Sequence, residues 1–181
     1  ETPLHYVIRF KRTDMFDKLM EKQLSIDVPN RHGVRTLLMA IMAREYKMAA
    51  ALVERGADVN AADNANVTPL MLAADGGKKS RPEMVLLLLK KGANPNARDI
   101  EGRTALFYAV GKAWVDITEI LLDAGADPHM QDKYGRTLTY YLTGEGLREQ
   151  RARIREILEK KGVGMPEDAV AQSPNRPARP Q

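Results

Sequence analysis

The chain has 181 residues, of which 44% are hydrophobic and 29% charged, enough apolar content to build one core and to exclude global disorder. A formal net charge of +4 allows an acidic protein partner without requiring nucleic acid. With no cysteine, there is no disulfide, no thiolate metal site and no cysteine nucleophile. The apolar run Met84 to Leu89 is far too short to cross a bilayer. The chain opens at Glu1 with neither an initiator methionine nor an apolar leader. That start fits either a trimmed chain or the mature part of an exported protein, and a periplasmic or otherwise exported location is expected over a cytoplasmic one.

In chain order, Thr2 can cap a first helix whose first turn accepts Pro3. Asp14 to Glu21 reads as a second helix, with Met15, Leu19 and Met20 facing inward. From Arg35 to Val67 a second pair follows, with Ala40 as the small inner residue and Leu52-Val53 on the outer helix. Its Arg44 to Ala51 stretch is rich in Met and Ala, which lets helices approach closely. The third unit, Thr68 to Arg103, carries extra residues within Asp75 to Pro82. Glycines and lysines there predict a solvated, mobile loop, either a tolerated extension or a contact loop.

The stretch Gly102 to Asp127 is the best preserved unit. Ala105 to Val110 is a short inner helix, Gly111 to Ala113 breaks it, and Val115 to Ala124 places apolar residues at 117, 120, 121 and 124. Gly125 then stops the second helix. A fifth unit begins at Thr137 and degrades through Thr139 and Leu142. Gly144 to Leu147 lengthens its turn, and a long helix, Leu147 to Lys161, turns Ile154, Ile157 and Leu158 inward. From Val163, with Pro166, Pro174, Pro177 and Pro180, the composition predicts an extended, disordered tail.

None of these helices is long enough to stand alone in water, so the units need one another. They recur in phase. Gly-Ala-Asp/Asn appears at Gly56, Gly92 and Gly125, and Thr-x-Leu at Thr68 and Thr104. The frame Thr2, Arg35, Thr68, Thr104, Thr137 advances by 33, 33, 36 and 33 residues. At these positions, together with Thr2-Pro3-Leu4-His5, the sequence resembles the ankyrin repeat family, from residue 1 to about 162. The resemblance implies an all-α dominated solenoid of about five helix-turn-helix repeats joined by short β-hairpin turns. The repeats would run about 2–34, 35–67, 68–103, 104–136 and 137–162, followed by a tail at 163–181.

In that frame the hairpin Asp is met by Asn30, Asp63, Asp99 and Asp132, whose side chains can accept backbone amides of the turn. The left-handed position three residues later is met by Gly33, Asn66, Gly102 and Gly135, and Asn is the best non-glycine substitute there. Leu19, Leu52, Leu88, Leu121 and Leu158 share one frame position and predict a continuous core ridge. His5 would bond neighbouring backbone.

Little points to chemistry. His5, His32 and His129 fall in different repeats without near-spaced acidic or cysteine ligands, so no metal site is expected. Gly76 to Ser80 lacks the spacing and the preceding strand of a phosphate loop. No nucleophile triad is recognisable, so neither enzyme activity nor a cofactor is expected. Arg148, Arg151, Arg153 and Arg155 are interrupted by Glu149 and Glu156, and read as a solvated face rather than a nucleic-acid patch.

The resemblance implies a partner-binding surface at the hairpin tips and the concave inner-helix side. Transferred by frame, the tip positions include Arg31, His32 and Val34; Asn64, Ala65 and Val67; Ile100, Glu101 and Arg103; and Lys133, Tyr134 and Arg136. The helix-end positions are Arg9, Phe10, Met42, Asp75 and Lys112, with Trp114 adjacent. Lys78 and Lys79 join them if the inserted loop is a contact loop. Trp114 either packs over the next repeat or anchors a partner. Tyr134 and Ile100 are apolar residues expected at tips, and Lys133, Arg103 and Arg136 beside them suit an acidic or mixed partner surface. The expectation is a non-catalytic protein-binding module, a monomer when free and without membrane contact. Its narrower form is an inhibitor or immunity protein that blocks a toxic enzyme, a use that small stand-alone bacterial ankyrin proteins suggest. A scaffold or host-directed adaptor is the alternative, and a nucleic-acid binder a more distant one.

Overall fold

The computed structural model describes residues 2–22, 25–142 and 147–164. Helices come in pairs: α1 (Pro3–Arg9) with α2 (Thr13–Met20), α3 (Thr36–Met42) with α4 (Tyr46–Glu54), and α5 (Pro69–Asp75) with α6 (Pro82–Lys90). They continue as α7 (Ala105–Gly111), α8 (Val115–Asp123), α9 (Leu138–Tyr141) and α10 (Arg148–Lys160). The inner helices α1, α3, α5, α7 and α9 stack in chain order, and the outer helices α4, α6, α8 and α10 stack behind them. The expected helical solenoid is thus observed. Among the described residues no strand forms; the hairpins are tight turns. Most of the expected turn from Gly144 to Leu147 and of the tail from Val163 lies outside the described residues, but Val163 itself is buried against the core and closes α10 through its amide to the Leu158 carbonyl at 3.0 Å.

Local chemistry explains each pair. Thr2 and Thr68 accept the amides of His5 and Met71, capping α1 and α5, each with proline in the first turn. His5 Nε2 lies 3.0 Å from the Val34 carbonyl, bonding the neighbouring turn as expected. Inner helices end in a tight closure. The amides of Arg12, Glu45 and Trp114 reach back to the carbonyls of Val7, Ala40 and Ala109 at 2.9–3.0 Å. The residue before each is left-handed without being glycine: Lys11, Arg44 and Ala113, at φ 54, 62 and 58°. The break in the fourth unit is therefore made by Ala113, whereas Gly111 ends the helix. Outer helices close the same way with Gly56, Gly92, Gly125 and Gly162, at φ 80–87°.

A second repeated device links neighbours. Asn60 Oδ1 accepts the Asn94 amide at 2.8 Å while its Nδ2 donates to the Gly92 carbonyl at 2.9 Å. Asn96 does the same for the Asp127 amide and the Gly125 carbonyl. Each amide side chain thus satisfies two backbone groups that a helix end leaves open.

Leu52, Leu88, Leu121 and Leu158 are fully buried, forming the predicted ridge. Leu19 is only half-buried, and Met15 is 40% exposed rather than inward. Helix α2 packs on α1 and buries Met20, as expected, together with Phe16. As the terminal outer helix it buries its largest apolar side chain, and the face carrying Met15 meets solvent. Ala124 is likewise exposed; it caps α8, and Leu122 takes the inward place beside Ile117 and Leu121. In α10, Ile154 and Leu158 are buried and Ile157 half-buried.

The ridge is expected to behave position by position. Leu121→Ala should lose roughly 2–5 kcal/mol in urea unfolding, because Leu121 is fully buried on α8, which packs against α6, α7 and α10. Leu19→Ala should lose clearly less. Equal losses at both sites would contradict the rotated setting of α2.

Candidate protein-binding face

Each turn between repeats is built on one side-chain oxygen. Oδ1 of Asn30 accepts the amides of His32 and Val34, at 2.9 and 3.0 Å. Asp63 holds Ala65 and Val67, Asp99 holds Glu101 and Arg103, and Asp132 holds Tyr134 and Arg136, all at 2.8–3.0 Å. The accepted amides lie two and four residues on, so the side chain ties the whole tip. Gly33, Asn66, Gly102 and Gly135 follow at φ 56–76°, including the asparagine. Tips also pair with one another: the Ile100 amide donates to the Ala65 carbonyl at 3.0 Å, and the Lys133 amide to that of Glu101 at 2.8 Å. At the first junction the Asn64 side chain sits over Gly33, where an added Cβ would lie 2.4 Å from its Oδ1.

In the last two junctions the second carboxylate oxygen builds a further unit. Asp99 Oδ2 accepts from Arg103 Nε at 3.0 Å and from the Tyr108 hydroxyl at 2.7 Å, and that hydroxyl accepts from Arg103 Nη2 at 3.1 Å. Asp132, Arg136 and Tyr141 repeat the triangle at 2.6, 2.7 and 3.1 Å. Burial pushes the Asp132 carboxyl up, but hydrogen bonds from Tyr141, the Arg136 amide and guanidinium, and the Tyr134 amide outweigh it and hold it at about 2. Burial and the bond to Asp132 push the Tyr141 hydroxyl up to about 12, and burial and the bond to Asp99 raise Tyr108.

The remaining charges of the face are largely paired as well. Lys133 bridges to Glu101 at 2.5 Å and Lys112 to Asp75 at 3.3 Å. Arg103 and Arg136, read from sequence as contact charges, thus hold the tips together, with about a third of each side chain exposed. Large apolar side chains project beside them. Tyr134 is 63% exposed and Ile100 58% exposed, both at tips, while Phe10 and Met42 are exposed at the far ends of α1 and α3. Tyr134 lies over Lys133 and Arg136, with ring centre to cation distances of 5.0 and 4.7 Å, which holds the ring in place. At the first tip, Arg31 Nε donates to His32 Nε2 at 3.0 Å, and both line a cleft of about 490 Å³ with Arg9 and Asn30. Asn64 is exposed at the second tip.

Trp114 is half-buried, and its indole N–H donates to the Asp75 carbonyl at 3.1 Å. That bond ties it to the preceding repeat, whereas the sequence offered packing over the following one or a partner anchor. There it lies against the buried Gly76, where an added Cβ would sit 3.0 Å from the indole nitrogen. The inserted segment is therefore packed at its start rather than open throughout, with Lys78 and Lys79 exposed beyond it.

The structure brings the predicted residues into two bands. Tip residues lie at one end of the inner helices; Arg9, Phe10, Met42, Asp75, Lys112 and Trp114 lie at the other, about 10 Å away for a seven-residue helix. Between the bands runs a column that the sequence reading did not single out: Tyr6, Met39, Leu72, Tyr108 and Tyr141, none of them buried. They share one position of the frame, four residues after its opening residue, and that periodicity was the available signal. Tyr6 stacks on Phe10 with ring centres 4.4 Å apart, joining the column to the helix-end band. The arrangement offers apolar anchors beside tips tied by hydrogen bonds from backbone amides. Among the described residues no group of three His, Asp or Glu side chains is placed to hold a metal, and no helix is long and apolar enough to cross a membrane.

Residues 62–132 match the family model described as ankyrin repeats (3 copies). An ankyrin repeat protein of Rickettsia bellii is 36% identical over 110 residues, covering 59% of this chain and 31% of that protein. An ankyrin repeat-containing protein of Treponema pallidum is 34% identical over 100 residues, covering 55% and 33%. The mouse B-cell lymphoma 3 protein homolog is 30% identical over 117 residues, covering 62% and 25%. The chain spans about a third or less of the length of these curated relatives.

The buried carboxylate of Asp132 predicts an acid limit. Asp132 stands at about 2 in the folded chain against 3.8 as its ordinary value, so its stabilisation is full above about pH 4 and is lost as pH falls through about 2. The expected loss is about 2 kcal/mol, read from thermal or urea unfolding across that window. Asp132→Asn keeps the Oδ1 acceptor and should remove that pH dependence while lowering stability at pH 7.

Proposed function

This chain is an ankyrin repeat protein, and on that premise we propose that it binds a partner protein through the tips and the inner-helix column and, in the narrower reading, blocks an enzyme seated there. Ankyrin repeats are protein–protein interaction modules. The single observation that carries the choice of surface is the exposure of Tyr134 and Ile100 on tips whose backbone and charges are already tied. Such residues lose little conformational freedom on binding, which favours large aromatic and aliphatic side chains as anchors. The internal pairing of Lys133, Arg103 and Arg136 directs the partner's main contacts to apolar surface, with charge at the rim.

Capture with purified full chain as bait, followed by titration calorimetry on the partner recovered, tests this. Tyr134→Ala and Ile100→Asp should each weaken binding about tenfold or more, with melting temperatures close to that of the parent chain. Unchanged affinity in both variants would rule out the tips as the contact. If the partner is an enzyme that loses activity at one-to-one stoichiometry, the inhibitor reading holds. A partner that keeps its activity selects the scaffold or adaptor reading.

A further inference from the structure

A second feature lies outside the tip face, between the outer helices α4 and α6. They enclose a groove of about 280 Å³, with Ala50, Met84 and Leu87 as an apolar floor. Its walls are Tyr46, Lys47, Arg81 and Glu83. The guanidinium of Arg81 stacks 4.9 Å from the centre of the Tyr46 ring and closes one end. This groove borders the insertion that distinguishes the third repeat. Gly76 and Gly77 turn left-handed, at φ 60 and 69°, and Arg44 lies against Gly77, where an added Cβ would fall 2.2 Å from its Nη2. The inserted chain then runs through the exposed Lys78 and Lys79 before Arg81 opens α6.

The groove wall is therefore basic through Lys47 and Arg81, and the exposed Lys78 and Lys79 precede Arg81 in the chain. The nearby acids are mostly engaged elsewhere. Asp116 takes the Ser80 hydroxyl at 2.5 Å, Asp75 pairs with Lys112 at 3.3 Å, and Glu45 with Lys11 at 3.0 Å. Glu83 is the one carboxylate in the groove wall. The volume suits one or two side chains rather than a whole cofactor.

We propose that this groove is a second docking site, taking an acidic segment of a partner protein that seats an apolar side chain on Ala50, Met84 and Leu87. Carboxylates flanking that side chain meet Lys47, Arg81 and the lysines of the insertion. A nucleic acid would satisfy the rim charges but leave the apolar floor uncovered. The site is independent of the tip face, so either can fail alone.

The test is fluorescence anisotropy on the full chain, with a labelled short peptide carrying Leu-Phe flanked by glutamates. Saturable binding is expected, weakened about tenfold or more when the glutamates become glutamines, and falling as salt rises. Ala50→Arg fills the floor and Lys47→Glu reverses a rim charge; each should weaken binding about tenfold, with the melting temperature held as the folding check. Arg81→Glu should act likewise, and if it lowers the melting temperature the Ala50 and Lys47 variants decide. Tyr134→Ala should leave peptide binding unchanged. No saturable binding at low salt, equal binding of the glutamine peptide, or insensitivity to Ala50→Arg would overturn the proposal. So would loss of binding in Tyr134→Ala, or displacement of the peptide by an oligonucleotide at equal affinity.

Discussion

Each tip depends on one oxygen atom. Oδ1 of Asn30, Asp63, Asp99 and Asp132 takes two backbone amides in a turn that has no strand to satisfy them. With the tip tied, the next inner helix starts at a set point and in a set direction. Helices of seven to nine residues have no independent stability, so a repeated start is what lets each pair bury its face on the last. The asparagine clamps at Asn60 and Asn96 perform the matching task behind the outer helices, joining the end of one repeat to the end of the next.

The change from Asn30 to Asp99 and Asp132 has a further consequence. A carboxylate has a second oxygen, and in both later junctions it is bound by an arginine of the same repeat and a tyrosine of the next. The acid is buried while its arginine and tyrosine partners are half-exposed, so the triangle stiffens the tip but leaves a cost if a partner is removed. It also withdraws two arginines from outside contacts. The tip face becomes an apolar surface on a braced frame, whereas the basic rim beside α6 keeps its charge outward. Two surfaces of one small solenoid thus differ in the partner chemistry they suit.

Much of this was legible in the residues alone. Period, turn residues and the leucine ridge follow from local needs: a left-handed backbone wants Gly or Asn, a bare amide wants an Asp or Asn oxygen, and a stacked helix wants a large apolar residue at a constant phase. Asn66 in the glycine place and His5 against the Val34 carbonyl sit as those needs require. Departures came where the environment is not periodic. Met15 has the phase of a core residue, but the first outer helix is rotated to bury Phe16. Ala124 has the spacing of a core residue but falls one step past the end of α8.

The sequence by itself determined the repeating helix pair, the tie at each tip and the ridge at the core, because each is set by residues close in the chain or by a constant phase. Only the tertiary structure decided which charges are spent and which are offered. Arg103 and Arg136 turn in to buried carboxylates, Lys112 and Lys133 cross to the neighbouring repeat, and Trp114 reaches back to the insertion. A charge near a turn can pair across repeats 30 or more residues away or face water, and its own neighbours in the chain carry no sign of which. That choice is made by what the stacked repeat places opposite it.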